Sequence, residues 1–327
     1  MNNILLIGDP HFKISNKLET DQLFEETKKY LDQNNIDFID FIVVLGDILD
    51  THEKVHVQPL CRSILFIKML ASYKKTFILI GNHDRINNNV FMTDEHPFTS
   101  LKKSNENIVI VDKTLTFGNF MFVPYVPNGR FEESLKEGWE DKIAIFAHQE
   151  FKGCKMGSII SEDGDVWGQD NPPVFSGHIH DYQIPQKNIC YTGTPFQHSF
   201  GDSHDKGIFL LKITDKEHWN LEKIKLNIIR KKIIKMNISE FEDFEPPKNC
   251  IIKIDLEGDP ILIKKILEKK KNRDKINEYN LKIKIFHSKI LKGNKEIEKS
   301  EFNFVEKLKK RIEKCENDVK NTFDEIF

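Results

Sequence analysis

The order of apolar and polar segments in the first part of the chain constrains the fold more than any other feature. Three short runs rich in Ile, Val, Leu and Phe, at residues 4–7, 41–45 and 77–80, have the composition of buried strands. Two stretches with a helical spacing of apolar residues, 19–33 and 57–73, separate them. This alternation of strands and helices predicts parallel pairing with crossover connections, and therefore an α/β fold.

A polar motif follows each of these runs directly, and a further strand-like run at 143–146 ends in the same way. In parallel sheets, ligands bind just beyond the carboxyl ends of the strands, where Asp9, Asp47 and Asn82 fall. The sequence therefore predicts one site assembled from distant segments. The motifs are Asp9-Pro10-His11, Gly46-Asp47, Gly81-Asn82-His83-Asp84, Ala147-His148 and Gly177-His178-Ile179-His180.

The pattern changes in the second half of the chain. Between residues 108 and 226 the apolar runs are short and alternating, with Gly, Pro and Asn turns between them, which predicts a second sheet packed face to face with the first. Beyond Glu245-Pro246-Pro247, two alternating runs on either side of a helix at 260–271 predict a small βαβ unit. The predicted parts are a domain at 1–227, a small α/β cap at 228–300 and a C-terminal helix at 301–327.

The last segment carries apolar residues at spacings of three and four from Val305 to Val319, which is typical of a coiled-coil-like helix. Asn303 and Glu306 have the spacing of a capping box at its start. Two interpretations stay open: the helix packs against its own domain, or it docks on a partner protein.

Composition excludes several classes of protein. The chain is 39% hydrophobic and 31% charged, as in ordinary globular proteins, and no apolar run approaches the roughly 18 residues of a membrane span. Five scattered cysteines without a Cys-x-x-Cys pair indicate neither a disulfide framework nor a zinc ribbon, so we expect a reducing, cytoplasmic location. With 49 basic and 51 acidic residues, contact with nucleic acid needs a local basic patch or a partner.

Hydrolysis of a phosphate ester gives a chemical reason for the residue types in the motifs. The reaction needs a hydroxide near neutral pH and neutralisation of charge on the phosphoryl oxygens, and two divalent ions about 3.5 to 4 Å apart supply both. Oxygen and nitrogen ligands without thiolates favour manganese, with iron or zinc as alternatives. The expected ligands are Asp9, His11, Asp47, Asn82, His148, His178 and His180.

Asp47 is the expected bridge, because a carboxylate has one oxygen for each ion. We expect Asp9, His11 and His180 on the first ion. Asn82, His148 and His178 are expected on the second ion.

His83 is not needed as a ligand, so we expect it to hydrogen-bond the phosphate or to protonate the leaving group, with Asp84 fixing its orientation. His52 and His198 lie close to the motifs, in loops near Asp47 and Gly193-Thr194-Pro195. A structural role has more weight for each, but these are the two further histidines that merit a test.

Together the five motifs resemble the signature of calcineurin-like metallophosphoesterases over about the first two thirds of the chain. The resemblance implies a four-layer αββα sandwich, in which two facing sheets are flanked by helices. Within that superfamily the chain is most similar to the SbcD-type nuclease subunit of the double-strand-break repair complex, in its bacterial and phage forms. The run from Gly46 to Thr51 lacks the arginine that protein phosphatases place soon after the aspartate, and Gly193-Thr194-Pro195-Phe196-Gln197 precedes Gly201-Asp202.

This resemblance implies manganese-dependent exonucleolytic and endonucleolytic cleavage of DNA, in repair or recombination, under the control of an SbcC-type coiled-coil ATPase. The C-terminal helix would be the dock for that ATPase, and the origin would be viral or phage. A phosphomonoesterase or small-nucleotide phosphodiesterase on the same scaffold is the alternative, and pairing of two copies is left open. The full ligand set argues against a non-catalytic scaffold. The lysine-rich run at 264–271 is either a solvated helix face or a phosphate contact.

Overall fold

The computed structural model describes residues 1–287, and each α-helix within them is too short or too polar to span a membrane. The helix predicted at 301–327 lies outside the described residues, as does the end of the predicted cap. The helices are α1 (Lys17–Gln33), α2 (Val57–Tyr73), α3 (Pro260–Leu267) and α4 (Lys270–Glu278). The strands are β1 (Asn2–Ile7), β2 (Phe41–Val44), β3 (Thr76–Leu79), β4 (Ile108–Val111), β5 (Leu115–Phe117), β6 (Phe120–Val123), β7 (Ala144–Ala147), β8 (Lys155–Met156), β9 (Ile159–Ile160), β10 (Val174–Ser176), β11 (Gln183–Gln186), β12 (Ile189–Tyr191), β13 (Ile208–Ile213), β14 (Trp219–Ile224), β15 (Arg230–Asn237), β16 (Cys250–Gly258) and β17 (Lys282–His287).

The first sheet has the strand order β14-β13-β1-β2-β3-β4. Strands β1 to β4 are parallel, as the alternation of strands and helices predicts, and α1 and α2 form the first two crossovers. Assigning every strand after residue 108 to the second sheet is wrong for β4, β13 and β14, because β4 pairs with β3 and β13 pairs antiparallel with β1. Apolar runs identify strands, whereas the partner of a strand depends on contacts that are distant in sequence.

The second sheet has the order β11-β12-β10-β7-β6-β5, and its four central strands are parallel. Aromatic side chains fill the space between the two sheets. Phe41 and Phe77 of the first sheet pack against Phe122 and Phe146 of the second, and the rings of Phe77 and Phe122 stack with centroids 4.1 Å apart. Full burial of such a side chain contributes roughly 1.5 to 3 kcal/mol, so this layer fixes the two sheets relative to each other.

The outer layers of the sandwich differ in kind. Helices α1 and α2 cover the first sheet through Leu23, Phe66 and Leu70. Loops cover the second sheet, with the rings of Phe131 and Trp167 packed edge to face. The predicted α/β class with two facing sheets is confirmed. Between α2 and α3, the described chain contains short 3-10 helices but no α-helix, so the fourth layer consists mainly of loops.

The cap is a parallel three-stranded sheet, β15-β16-β17, with α3 and α4 between its last two strands. The single helix predicted at 260–271 is wrong. The side chain of Asn272 donates a hydrogen bond of 2.7 Å to the carbonyl oxygen of Ile266, and Lys269 has an extended ψ of 135°. The non-helical backbone at Lys269 separates α3 from α4, and the Asn272 side chain satisfies a carbonyl group that the end of α3 leaves unpaired. The domain boundaries at 227 and 300 stay predictions.

A buried ion pair connects the first strand of the cap to the larger part of the chain. Lys231 of β15 bonds Glu19 of α1, and both side chains are buried. The Lys231 ammonium also donates to the carbonyl oxygen of Gln197 at 2.7 Å, and the Gln197 side chain accepts from the Lys231 backbone N–H at 2.9 Å. These contacts hold β15 against the loop that precedes His198.

Candidate metal centre

The predicted ligands meet at the carboxyl ends of the strands of both sheets. Asp9, Asp47 and Asn82 follow β1, β2 and β3 of the first sheet, and His148 and His178 follow β7 and β10 of the second. Asp9, Asp47 and His148 are almost completely buried, with exposed fractions of 0%, 1% and 0%. The site is therefore an interior cluster of carboxylates and imidazoles.

The backbone is in the left-handed region at three of the predicted ligands, with φ of 42° at His11, 47° at Asp47 and 77° at His178. Such angles are uncommon outside glycine and mark positions that the surrounding structure enforces. Gly81 permits a further close approach, since a Cβ there would lie 2.2 Å from Asp47 Oδ1. The loops that follow the strands thus have backbone conformations that bring the polar side chains of the site together.

Asp47 lies between two groups of predicted ligands, as the bridging role requires. Its Oδ1 is 3.3 Å from His148 Nε2, and its Oδ2 is 3.6 Å from His11 Nε2. Oδ1 also accepts a hydrogen bond of 2.8 Å from the backbone N–H of His83. The two oxygens therefore face different imidazoles.

On one side of Asp47, the amide oxygen of Asn82 is 3.0 Å from both His148 Nε2 and His178 Nδ1. Asp47, His148 and His178 each offer a ligand atom, and these atoms lie within 4.8 Å of one another. On this side the structure brings together the ligands predicted for the second ion.

On the other side, His11 Nε2 is 3.1 Å from His180 Nε2. The side-chain contacts of Asp9, which was predicted for the same ion, are with His178 and His148. Asp9 Oδ1 accepts from the backbone N–H of His178 at 3.0 Å and is 3.3 Å from His148 Nδ1. Asp9 Oδ2 is buried and has no hydrogen-bond partner. An unpartnered buried carboxylate oxygen is costly, and a cation bound there would satisfy it.

Backbone carbonyls orient two of the imidazoles. Nδ1 of His148 lies 2.6 Å from the carbonyl oxygen of Leu45, and Nδ1 of His11 lies 3.2 Å from that of Leu49. A carbonyl can only accept, so each Nδ1 carries the proton and each Nε2 faces the site. Metal-binding histidines have this arrangement, in which the outer ring nitrogen donates to a fixed acceptor.

Burial and the charges of neighbouring side chains shift the pKa values of three residues in this cluster. Burial, together with the nearby charge of Asp47, raises the pKa of Asp9 to about 7. Burial disfavours the charged His148 ring, but Asp47 and Asp9 outweigh it and raise the pKa of His148 to about 9. Although burial also disfavours the Asp47 carboxylate, the His148 and His11 rings hold its pKa well below the usual range. Divalent cations would neutralise these carboxylates and displace the His148 proton.

His83 lies at the edge of the cluster, where its Nδ1 is 2.8 Å from the carbonyl oxygen of Asp50 and so donates to it. The expected orienting contact from Asp84 is wrong, because the structure gives this role to the Asp50 carbonyl. Asp84 instead accepts hydrogen bonds from the backbone N–H groups of Gly81, Ile48 and Leu49 at 3.0, 3.1 and 2.8 Å. It connects the loops that carry Asn82 and Asp47.

The two further histidines singled out in the sequence both border the cluster. The His52 ring stacks on His83 with centroids 4.8 Å apart and planes 18° apart. His198 donates from Nε2 to the carbonyl oxygen of Asp9 at 3.0 Å, and its ring centroid is 5.0 Å from that of His11. Both residues lie beside the cluster because of the fold, and their spacing in the sequence does not reveal this.

Glu150 is a neighbour of the site that the sequence interpretation missed. Its Oε2 is 3.9 Å from His178 Nε2. The adjacent His178 ring and the hydrogen bonds from Ser161 and Asn128 lower the pKa of Glu150 to about 2, against the effect of burial. The available signal was its position two residues after His148, the same spacing that separates Asp9 from His11.

Comparisons with known proteins agree with this geometry. A family model described as calcineurin-like phosphoesterase matches residues 3–182. A protein of Invertebrate iridescent virus 6 named "Putative phosphoesterase 244L" is 44% identical over 269 residues, which cover 78% of this chain and 93% of that protein. A protein of Invertebrate iridescent virus 3 named "Putative phosphoesterase 078R" is 46% identical over 238 residues, covering 69% of this chain and 68% of that protein.

Proposed function

The chain belongs to the calcineurin-like phosphoesterase family, and from this premise we propose that it is a manganese-dependent DNA nuclease that acts with an SbcC-type ATPase in repair or recombination. Hydrolysis of phosphate esters at a divalent metal site is the activity of the family. The proposal goes beyond family membership in three respects: the ester that is cleaved, the identity of the metal and the partner protein.

The distribution of charge supports a polyanionic substrate. Residues 228–287 contain 15 Lys and Arg but 10 Asp and Glu, whereas the whole chain has a net charge of −2. Among the described residues, the lysines of α3 and α4 at 264, 265, 270 and 271 are exposed. Clustered exposed lysines attract a phosphate backbone by releasing its counterions. This positive cap on a nearly neutral chain is the observation that carries the proposal of a nucleic-acid substrate.

The cap also contacts the loop that borders the metal centre. The ammonium group of Lys282 on β17 lies 5.3 Å from the centre of the Phe200 ring, and Phe200 follows His198 by two residues. Strand β17 of the cap therefore lies beside this loop, and we propose that a strand of DNA contacts both the cap and the site. A small phosphomonoester has no polymer chain that the cap could bind, so contact with the cap favours DNA as the substrate.

Two divalent ions would neutralise phosphoryl charge and activate a water. One would be held by Asp9, His11 and His180, and the other by Asn82, His148 and His178. Asp47 would contribute to both. His83 donates from Nδ1 to the carbonyl oxygen of Asp50, so its Nε2 is free to contact the phosphate or to hold a proton for the leaving oxygen. The His52 ring stacked on it limits rotation of that imidazole.

The test supplies manganese with linear duplex DNA, single-stranded DNA and p-nitrophenyl phosphate in parallel. The proposal expects cleavage of DNA that is lost in His178→Ala. Turnover of p-nitrophenyl phosphate alone would contradict the nuclease proposal and favour the phosphomonoesterase alternative.

The proposed ATPase partner rests on the apolar stripe of residues 303–327, which lie outside the described residues. Removal of residues 302–327 should abolish co-elution with a coiled-coil ATPase of the SbcC type while manganese-dependent cleavage of short single-stranded DNA continues. Co-elution that survives the truncation would refute this dock.

A further inference from the structure

The predicted histidine ligands His11 and His148 share one ring orientation, and His178 has the opposite one. His11 and His148 face the site with Nε2, and their outer Nδ1 atoms donate to backbone carbonyls. His178 has the opposite orientation, since its Nδ1 lies 3.0 Å from Asn82 Oδ1 and its Nε2 points away from the site. Within the described residues, the acidic group nearest that outer nitrogen is Glu150, at 3.9 Å.

Glu150 is held in place by contacts of its own. Ser161 Oγ donates to its Oε1, and Asn128 Nδ2 donates to its Oε2 at 3.2 Å. Its backbone oxygen accepts from the N–H of Asp165 at 2.9 Å. The side chain is only 13% exposed. The carboxylate is therefore fixed before any ligand arrives, as an orienting group must be.

We infer that Glu150 is a positioning residue for His178. The Glu150 carboxylate holds the His178 proton on Nε2 and so leaves Nδ1 of His178 free to bind a metal ion. This inference rests on the metal centre of the proposed function. At 3.9 Å the contact is electrostatic, and a shift of about 1 Å of the imidazole makes it a direct hydrogen bond.

Loss of this orienting contact should affect the binding of only one of the two proposed metal ions. His178 belongs to the group that contains Asn82 and His148, on one side of Asp47. Loss of Glu150 should weaken binding of the ion on that side and leave the ion beside His11 and His180 largely unaffected. Removal of such an orienting group typically costs about 10 to 100-fold in metal affinity.

The experiment titrates metal-free protein with Mn²⁺ and measures the free ion by electron paramagnetic resonance. Four forms are compared: the wild type, Glu150→Ala, Glu150→Gln and the control Glu162→Ala, which removes an exposed carboxylate from the same segment. Urea unfolding of each metal-free form measures stability separately. Glu150→Gln is nearly isosteric, so it keeps the test informative if the alanine variant does not fold.

We expect Glu150→Ala to weaken one of two binding events about 10 to 100-fold. Glu150→Gln, which keeps a neutral acceptor oxygen, should lose less affinity, and Glu162→Ala should match the wild type. Wild-type affinity for both ions in Glu150→Gln and Glu150→Ala would overturn the inference. A wild type that binds no Mn²⁺ would overturn the metal centre itself, and with it the role of Glu150.

Discussion

The Nε2 atoms of His11 and His180 lie 3.1 Å apart, although these residues are 169 positions apart in sequence. Because Nδ1 of His11 donates to the carbonyl oxygen of Leu49, Nε2 of a neutral His11 carries a lone pair directed at His180. His180 can donate a hydrogen bond from Nε2 to this lone pair, or, with its proton on Nδ1, bind a cation together with His11. We assign the pair to one half of the proposed metal centre.

The variant His180→Ala should leave one tightly bound ion and remove the other, because the ligands on the Asn82 side of Asp47 stay intact. Activity should fall by at least about 100-fold if both ions stabilise the transition state. Equilibrium dialysis with Mn²⁺ measures the number of bound ions. Retention of two ions by this variant would exclude His180 as a ligand.

His83→Ala should keep both ions and lose cleavage, by about 10² to 10⁴-fold for loss of a general acid. His178→Ala should lose metal and activity together. Elemental analysis and the rate of DNA cleavage, measured on the same samples, separate the two cases. His56→Ala is the matched control, since His56 is exposed and outside the cluster. Loss of metal from His83→Ala would refute the proposed division of roles.

The stability of the metal-free protein should fall as the pH rises from about 7 to about 9. The folded-state pKa of His148 is about 9, because Asp47 and Asp9 outweigh the effect of burial on the charged ring. A group whose pKa is raised on folding contributes fully below its ordinary value of 6.5 and loses that contribution as the pH passes its folded pKa. Thermal unfolding of metal-free wild type and His148→Gln measures the effect. An equal decline in the two proteins would contradict this assignment.

Lys231→Met should destabilise the fold by about 3 kcal/mol, because it leaves the buried Glu19 carboxylate without its cation. Urea unfolding at constant pH measures the change, and Lys232→Met, at the exposed neighbouring position, is the control. The double variant Glu19→Gln with Lys231→Met should recover part of the loss. Equal stability of the two single variants would show that the ion pair does not stabilise the contact of β15 with α1.

The local fold was predictable where the sequence pattern alone determines it. The spacing of apolar residues gave α2 its observed bounds, and β1, β2 and β3 lie within two residues of the runs predicted at 4–7, 41–45 and 77–80. The pairing of β13 with β1 was not predictable, because both faces of a buried strand are apolar and give no information on the neighbour. The division of the cap helix lies at the non-helical backbone of Lys269, where the Asn272 side chain bonds the end of α3, and a periodicity of apolar residues does not reveal it.

The motifs predicted the candidate ligands, which the structure brings together, since their residue types and their positions after strands carry the chemical information. Their roles as ligands stay predictions. The contacts of Asp84 and Glu150 could not be inferred in the same way. Asp84 bonds backbone groups of a loop more than 30 positions away, and Glu150 contacts His178 through the fold of the second sheet. Such contacts depend on how loops from two sheets meet, and no local pattern encodes them.

The number of metal ions bound per chain tests the central claim most directly. Titration of metal-free protein with Mn²⁺ in a calorimeter should give two ions per chain for the wild type. Asp47→Asn, which removes the carboxylate charge between the two groups, should lose at least one ion, and Asp37→Asn at an exposed position should keep both. Binding of a single ion by the wild type, or two ions bound with unchanged affinity by Asp47→Asn, would contradict a centre in which Asp47 joins two metals.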